Sequence, residues 1–441
     1  MNNSVIIGKI LITGDLVLKS PLLIGDGAGE TSDNFRDVHV LKNRQGKPFI
    51  PGTSLCGVLR EWFENIFPDK TIEIFGDQDE MQSSIQLDDI ALEDCEIISR
   101  DGVRIDGLTG AGIDGGKYDF EAIERGAKGK LRLLINLRNR HCLEEISEVV
   151  AVMLRKLQDG LKLGAFTSKG FGRAVVENLT ASIYDFCDKA DVAAWLLKKT
   201  SSKKILPSTE ESFVEKDFIV DANFIFKSSF IIRDYNATEK LKDTTITAST
   251  LKSRKDFVIP GTSLKGIFRH RAEYIFGKLG LGKNILENLM GSSATDKKIK
   301  SRFIVEESYV SPKNFSEVVH TRNKIDRLTG GTLQGTLFTT KPAYQKNFDE
   351  ATLKIRFEIK NAKDFEAGLA LFLLRDLWLG HVALGGEKSV GRGTVKGLSA
   401  EINFKGKTYK LNANGKVIGG DKSELENFAC ALKNFSGGDD K

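Results

Sequence analysis

Two glycine-rich loops carry chemistry that can be read directly from residue type and spacing. One runs Gly164-Ala165-Phe166-Thr167-Ser168-Lys169-Gly170-Phe171-Gly172-Arg173, the other Leu384-Gly385-Gly386-Glu387-Lys388-Ser389-Val390-Gly391-Arg392-Gly393. Glycine lets a phosphate oxygen approach the backbone, exposed amides supply donors, and Lys169 with Arg173, or Lys388 with Arg392, supplies positive charge. That combination suits a phosphate-bearing ligand. An ordinary tight turn, which uses glycine for positive φ, is the alternative reading of the same residues.

The loops occupy matching places in a chain that repeats itself. Phe49-Ile50-Pro51-Gly52-Thr53-Ser54-Leu55-Cys56-Gly57-Val58-Leu59-Arg60 returns as Val258-Ile259-Pro260-Gly261-Thr262-Ser263-Leu264-Lys265-Gly266-Ile267-Phe268-Arg269, at an offset of 209 (260 − 51). The segment from Leu18 matches that from Phe226 at 208. Arg104-Ile105-Asp106-Gly107-Leu108-Thr109-Gly110 matches Lys324-Ile325-Asp326-Arg327-Leu328-Thr329-Gly330 at 220, Leu154–Gly160 matches Leu374–Gly380 at 220, and Gly172-Arg173 matches Gly391-Arg392 at 219. Repetition at one long period means two copies of one domain, the second with about eleven extra residues in its middle.

Each copy must position its loop with the same elements. Apolar alternation predicts a strand over Ile10–Leu18 and another over Phe218–Phe226. An amphipathic helix follows each Pro-Gly-Thr-Ser, with Ser or Thr at the N-cap. A polar middle leads to strands at Leu131–Leu137 and Leu353–Ile359, long helices at Leu143–Leu157 and Phe365–Leu379, and closing strands at Arg173–Val176 and Arg392–Val395. Strand, helix, variable middle, strand, helix, strand is an α+β pattern, ferredoxin-like in outline. The expected division is a first domain over 1–186, a linker over 187–217 containing a short docking helix, a second domain over 218–435 and a tail over 436–441.

The 441 residues suffice for two domains with their own cores, and the net charge of +5 is too small to announce a nucleic-acid binder, so local charge must carry that reading. Cys56, Cys95, Cys142, Cys187 and Cys430 are odd in number and far apart, which suits neither a disulfide framework nor a zinc knuckle. No apolar run spans a bilayer and no signal peptide is evident, so the expectation is a cytoplasmic protein without a membrane partner. Gly25-Asp26-Gly27-Ala28-Gly29 is not followed by a helix, which discounts a dinucleotide loop.

Taken together, the Ile-Pro-Gly-Thr-Ser-Leu-x-Gly helix starts, the Arg/Lys-Ile-Asp-x-Leu-Thr-Gly segments and the two terminal loops resemble the backbone subunits of type III CRISPR effector complexes, in the RAMP superfamily. The resemblance covers most of the chain, twice and in order, which implies a fused double subunit of type III-D-like character. It implies two tandem ferredoxin-like (RRM-like) domains, each with a β-hairpin thumb, at 104–126 and 324–349, that wedges between nucleotides of a guide–target duplex. Phe338 and Tyr344 suit a wedge or a packing role equally. The RNA-binding residues it implies are Lys169, Arg173, Lys388 and Arg392 in the loops, Ser54, Arg60, Lys265 and Arg269 at the helix starts, and Arg104 and Lys324 at the hairpins. The implied partners are CRISPR guide RNA, target RNA and the other effector subunits.

Target-cleaving members of that family place an Asp in the loop before the Pro-Gly helix, where it acts on the 2′-hydroxyl that attacks the adjacent phosphate. Asp33 stands there, 18 residues before Pro51, and is the first choice. In the second half Asp243, 17 residues before Pro260, takes the role after one loop deletion. Asp26 and Asp234 pair without a gap at 208, and Asp37 is a further carboxylate within reach, so they remain alternates. No His/Cys/carboxylate cluster has metal-ligand spacing, so any Mg²⁺ would be held loosely and partly by RNA phosphates, and no organic cofactor is expected.

The leading expectation is an RNA-guided endoribonuclease that cuts target RNA once per half. A backbone that grips guide RNA without cutting is the alternative. A guide-processing endoribonuclease working by His acid–base catalysis is a third, disfavoured because His39, His141, His270, His320 and His381 do not recur between the halves.

Overall fold

Apolar alternation fixes the central strand of each half. In a computed structural model, described over residues 5–27, 37–77, 81–107, 109–209, 216–234, 239–241, 244–246, 248–292, 298–348, 350 and 352–435, strand β1 (Ile6–Leu18) buries Ile10, Ile12, Leu16 and Leu18. These side chains enter the core of a first compact unit formed by residues 1–100, 118–167 and 171–213. Its other elements are α1 (Gly52–Glu64), α2 (Pro68–Phe75), β2 (Ile85–Leu87), β3 (Ile90–Glu93), β4 (Ile97–Ile105), β5 (Gly112–Ile123), β6 (Lys128–Arg138), α3 (Leu143–Asp159), β7 (Arg173–Asp185) and α4 (Lys189–Leu196). The outer part of the β4–β5 hairpin, 101–117, is grouped with the second unit.

The main sheet of the first unit places β6 beside β1, with β2 and β3 against β6 and β7 against the other side of β1, all antiparallel. Helix α3 buries Ile146, Val149, Val150, Met153, Leu154 and Leu157, the apolar face expected from their spacing. The polar segment after β7 is anchored. Asp188 caps α4, Trp195 packs edge-on to Tyr184, and Ile205 N–H donates to Ala181 O.

The second unit, 101–117, 168–170 and 214–441, contains β8 (Phe218–Phe226), β9 (Arg233–Asp234), α5 (Gly261–Leu279), α6 (Lys283–Met290), β10 (Phe303–Val305), β11 (His320–Arg322), β12 (Phe338–Lys341), β13 (Leu353–Ile359), α7 (Asp364–Trp378), β14 (Val395–Phe404), β15 (Lys407–Leu411), β16 (Val417–Gly419) and α8 (Lys422–Asn434). Its sheet order is β10-β13-β8-β14-β15-β16. Strands β10, β13, β8 and β14 reproduce the first unit's order, and the central strand carries a bulge at Thr13/Asp15 in one copy and Asn223/Phe224 in the other.

The closing strand starts at Val395, not at the expected Arg392, because residues 388–390 form a 3₁₀ turn and Gly391 and Gly393 hold positive φ before it. The extra residues of the second copy largely enter its first helix region. α5 has 19 residues against 13 in α1, and the offset reaches 218 by Ile90 and Ser308 (308 − 90). Strands β15 and β16 and helix α8 extend the second copy beyond the repeat. Among the described residues, no helix is long and apolar enough to cross a membrane.

Candidate nucleic-acid interface

Backbone hydrogen bonds set the two glycine loops in one geometry. Gly172 N–H donates to Pro21 O and Gly393 N–H to Ser229 O, each at 2.7 Å; Ala165 N–H donates to Leu23 O at 2.7 Å and Gly386 N–H to Ile231 O at 2.8 Å. Gly172 and Gly393 have φ of 76° and 77°, and a Cβ on either would lie 1.8 or 1.9 Å from Leu163 O or Leu384 O. No other residue fits there. These pairings run at an offset of 221 (393 − 172), which corrects the 219 suggested by the shared Gly-Arg dipeptide. Arg392 is the counterpart of Phe171, and Thr394 that of Arg173.

The side chains on this shared backbone differ in kind. In the first unit Phe166 and Phe171 pack with Phe120 at ring separations of 5.1 to 6.0 Å, in a small apolar cluster that includes Leu23 and Ala122. In the second, Glu387 takes the place of Phe166, with the same left-handed backbone (φ 56° against 57°), and Arg392 that of Phe171. Arg392 Nε donates to Glu387 Oε2 at 2.7 Å, and its Nη1 donates to Ser229 Oγ and Tyr344 Oη. Arg392 is therefore 5% exposed and engaged by protein, whereas Arg173 and Lys388 lie at the surface. Tyr344 packs inward, its ring stacked on His320, and Phe338 is exposed with the Arg322 guanidinium over its ring.

At the helix starts, Pro51 and Pro260 occupy the N-cap and no side chain caps either helix, contrary to the expected Ser/Thr cap. The reason is that each helix starts at the glycine, which leaves proline, without a side-chain acceptor, at the N-cap and Ser and Thr inside the first turn; in the first unit Asp89 Oδ1 accepts from Gly52 N–H at 2.8 Å instead. Ser54 is half-buried and Arg60 exposed. In the second unit Lys169, Lys265 and Arg269 come together. Lys265 is 7% exposed and its Nζ donates to Ser168 Oγ (2.8 Å) and Ser301 Oγ (2.7 Å). Burial, then the charges of Lys169 and Arg269, push its ammonium down to about 7; burial and Arg269 also lower Lys169. Arg269 Nη2 donates to Met290 O and Gly291 O.

The Asp-x-Leu-Thr-Gly segments form one turn, built twice. Asp106 Oδ1 accepts from Thr109 N–H (3.0 Å) and Asp326 Oδ1 from Thr329 N–H (3.1 Å). The next carbonyl contact, from Gly110 or Gly330 N–H to the Asp oxygen, is 2.9 Å in both. Asp and Thr shape the turn, and Leu328 stands at its tip, 97% exposed. Arg104 and Lys324 are exposed beside it.

Of the candidate carboxylates, Asp26 is exposed, with its N–H donating to His39 O, and Asp234 is half-buried on β9. Their neighbours pair alike, Gly25 with Val40 and Arg233 with Thr250, so the two aspartates hold matching backbone positions. Asp37 opens a two-residue strand parallel to β5. Asp33 and Asp243 lie outside the described residues.

The sequence matches the RAMP superfamily over residues 15–176 and again over 240–396, once on each repeat. The chain belongs to the RAMP superfamily. Proteins of this superfamily work with CRISPR RNA within CRISPR-associated complexes. No curated protein matches the chain. Both glycine loops and both hairpin turns fall inside the RAMP matches. Glu387, Arg233 and Arg322 were not singled out from the sequence. The signal was present in the two glycines eight apart, 164 and 172, 385 and 393, which align the loops at 221 and expose the exchange of Phe166/Phe171 for Glu387/Arg392.

Proposed function

We propose that the chain is a CRISPR RNA-binding backbone subunit of a type III effector complex, a III-D-like fusion of two backbone domains, and that it cuts complementary target RNA once per half. The observation that carries the reading is the conjunction, in both copies, of one strand order, one glycine loop and one hairpin turn within a RAMP match. The strand order supports ferredoxin-like, RRM-like domains. The turn that presents Leu328 supports the hairpin as a thumb, with an apolar tip to part stacked bases. Exposed Arg173 and Lys388 would hold backbone phosphates, which position RNA without reading its sequence.

Cleavage would proceed by attack of the target 2′-hydroxyl on the adjacent phosphate, with Asp33 in the first half and Asp243 in the second taking or orienting the hydroxyl proton. A DNA target, lacking that hydroxyl, should resist. The test uses the protein with its co-purifying guide RNA and partner subunits and a complementary labelled RNA. Asp33→Ala should slow one cut by about 10² to 10⁴, Asp243→Ala a different one, with guide and target binding retained. If Asp234→Ala removes a cut that Asp243→Ala leaves intact, the ungapped pairing with Asp26 locates the centres. If no carboxylate matters, the chain is a backbone that grips without cutting.

A further inference from the structure

The exchange of an aromatic pair for an ionic one brings more charge into the second unit than the pair itself needs. Three guanidinium groups converge on one carboxylate. Arg392 Nε donates to Glu387 Oε2 at 2.7 Å, Arg322 Nη2 meets Oε1 at 2.5 Å, and Arg233 Nη2 lies 3.6 Å from the same Oε1. The Glu387 side chain is 4% exposed, so it is a fixed, buried anion rather than a mobile surface charge. In the first unit the corresponding positions are Phe166, Phe171, Gly25 and Gly102, at offsets of 221, 221, 208 and 220, and none carries charge.

The three arginines are not equivalent. Arg392 is consumed, with its Nη1 donating to Ser229 Oγ at 3.0 Å and Tyr344 Oη at 3.1 Å. Arg322 makes one further hydrogen bond, from Nη2 to Thr340 Oγ1 at 3.2 Å, and Arg233 makes none among the described residues. Their side chains are 28% and 40% exposed; Arg322 Nε is buried without a hydrogen-bond partner, and the Arg233 guanidinium keeps its donors unbonded among the described residues. Three cations against one anion leave two positive charges in excess. Two partly desolvated guanidiniums with unsatisfied donors, held side by side by a shared carboxylate, can together grip a tetrahedral oxyanion through charge-assisted hydrogen bonds.

We propose that Arg233 and Arg322, held together by Glu387, form an oxyanion site for a phosphodiester group, present in the second half of the chain and absent from the first. As an oxyanion site it stands on this geometry; that the phosphate is an RNA phosphate rests on the proposed function. The two halves would then grip their RNA segments unequally, the second with one more fixed phosphate contact.

Brief phenylglyoxal treatment of the full chain, followed by peptide mass spectrometry, reads individual arginines. With inorganic pyrophosphate present, Arg233 and Arg322 should be protected, while Arg44, an exposed arginine of the first half, should react as before. In Arg322→Gln the pyrophosphate concentration that half-protects Arg233 should rise about tenfold or more, the effect of losing one charge-assisted donor pair. Reaction of Arg233 and Arg322 at the same rate with and without pyrophosphate in the folded wild-type chain would overturn the site. A second arm replaces pyrophosphate with the RNA that co-purifies with the protein. Protection by pyrophosphate but not by bound RNA would overturn the phosphodiester assignment alone, and RNA bound with neither arginine protected under either condition would overturn the site while leaving the proposed function standing.

Discussion

Glu387 and Arg392 show how one backbone accepts two chemistries. Phe166 and Phe171 hold the first loop by apolar contact, which needs only shape, whereas a buried ion pair needs each partner to be present. Removing one partner strands the other charge in a poorly solvated site. Arg392 is 5% exposed and Glu387 4% along its side chain, so Glu387→Ala should destabilise the second unit by about 3 kcal/mol or more, measured by urea unfolding followed through hydrogen exchange of that unit's peptides. The paired change Glu387→Phe with Arg392→Phe, which restores the first unit's solution on the same left-handed backbone, should recover part of that loss. Additive losses in the paired variant would mean that the arginine network, not the loop, depends on Glu387.

At the scale of elements, the hairpin turn separates shape from contact. Asp326 Oδ1 accepts from Leu328 N–H at 2.7 Å and Thr329 N–H at 3.1 Å, and those two hydrogen bonds hold its carboxyl below the usual range. Asp326→Ala should speed hydrogen exchange at residues 328–330 without moving the global unfolding midpoint, since the turn is exposed. An unchanged exchange rate would show that the glycine and threonine suffice. Such turns were legible in the sequence because their interactions are local, within four residues of Asp. Strands β8 and β13 and helix α3 were legible because burial on one face leaves a period. What escaped is long-range: Asp89 reaches Gly52 from 37 residues away, and Glu387 collects Arg322 and Arg233, which no local pattern announces. The loop register escaped for a different reason. Gly-Arg recurs by chance two residues out of step, and only the glycines that must adopt positive φ mark the true alignment.

At the scale of the whole molecule, the two units should differ in how they fail in acid. His141, on the first unit, has a side chain 1% exposed; its Nδ1 accepts from Arg138 N–H, and Glu73 Oε1 lies 3.7 Å from Nε2, too far for a good hydrogen bond. Burial, then the charges of Arg140 and Arg138, lowers its pKa to about 4. The ordinary value for histidine is near 6.5, so between those limits the unfolded state binds the extra proton, and stability falls as pH falls from about 6.5 to about 4, by on the order of 2–3 kcal/mol. In the second unit the groups shifted in the acid range are carboxylates, Asp326, Glu387, Asp421 and Glu424, all lowered. For Glu387 burial opposes the shift, but hydrogen bonds from Arg322 and Arg392 outweigh it. A lowered carboxylate contributes stability that is whole above its unfolded pKa, near 4.3 for Glu, and is lost only as pH falls through the folded value. Hydrogen exchange followed by peptide across pH 7 to 4, with intrinsic rates corrected, should therefore show α3 and β6 losing protection first, while β8, β13 and α7 hold until below about pH 4.3. His141→Gln, which cannot take up a proton, should bring the first unit's acid limit down toward that of the second. Coincident loss of protection in both units near pH 6, unchanged by that substitution, would mean that some group other than His141 sets the acid limit.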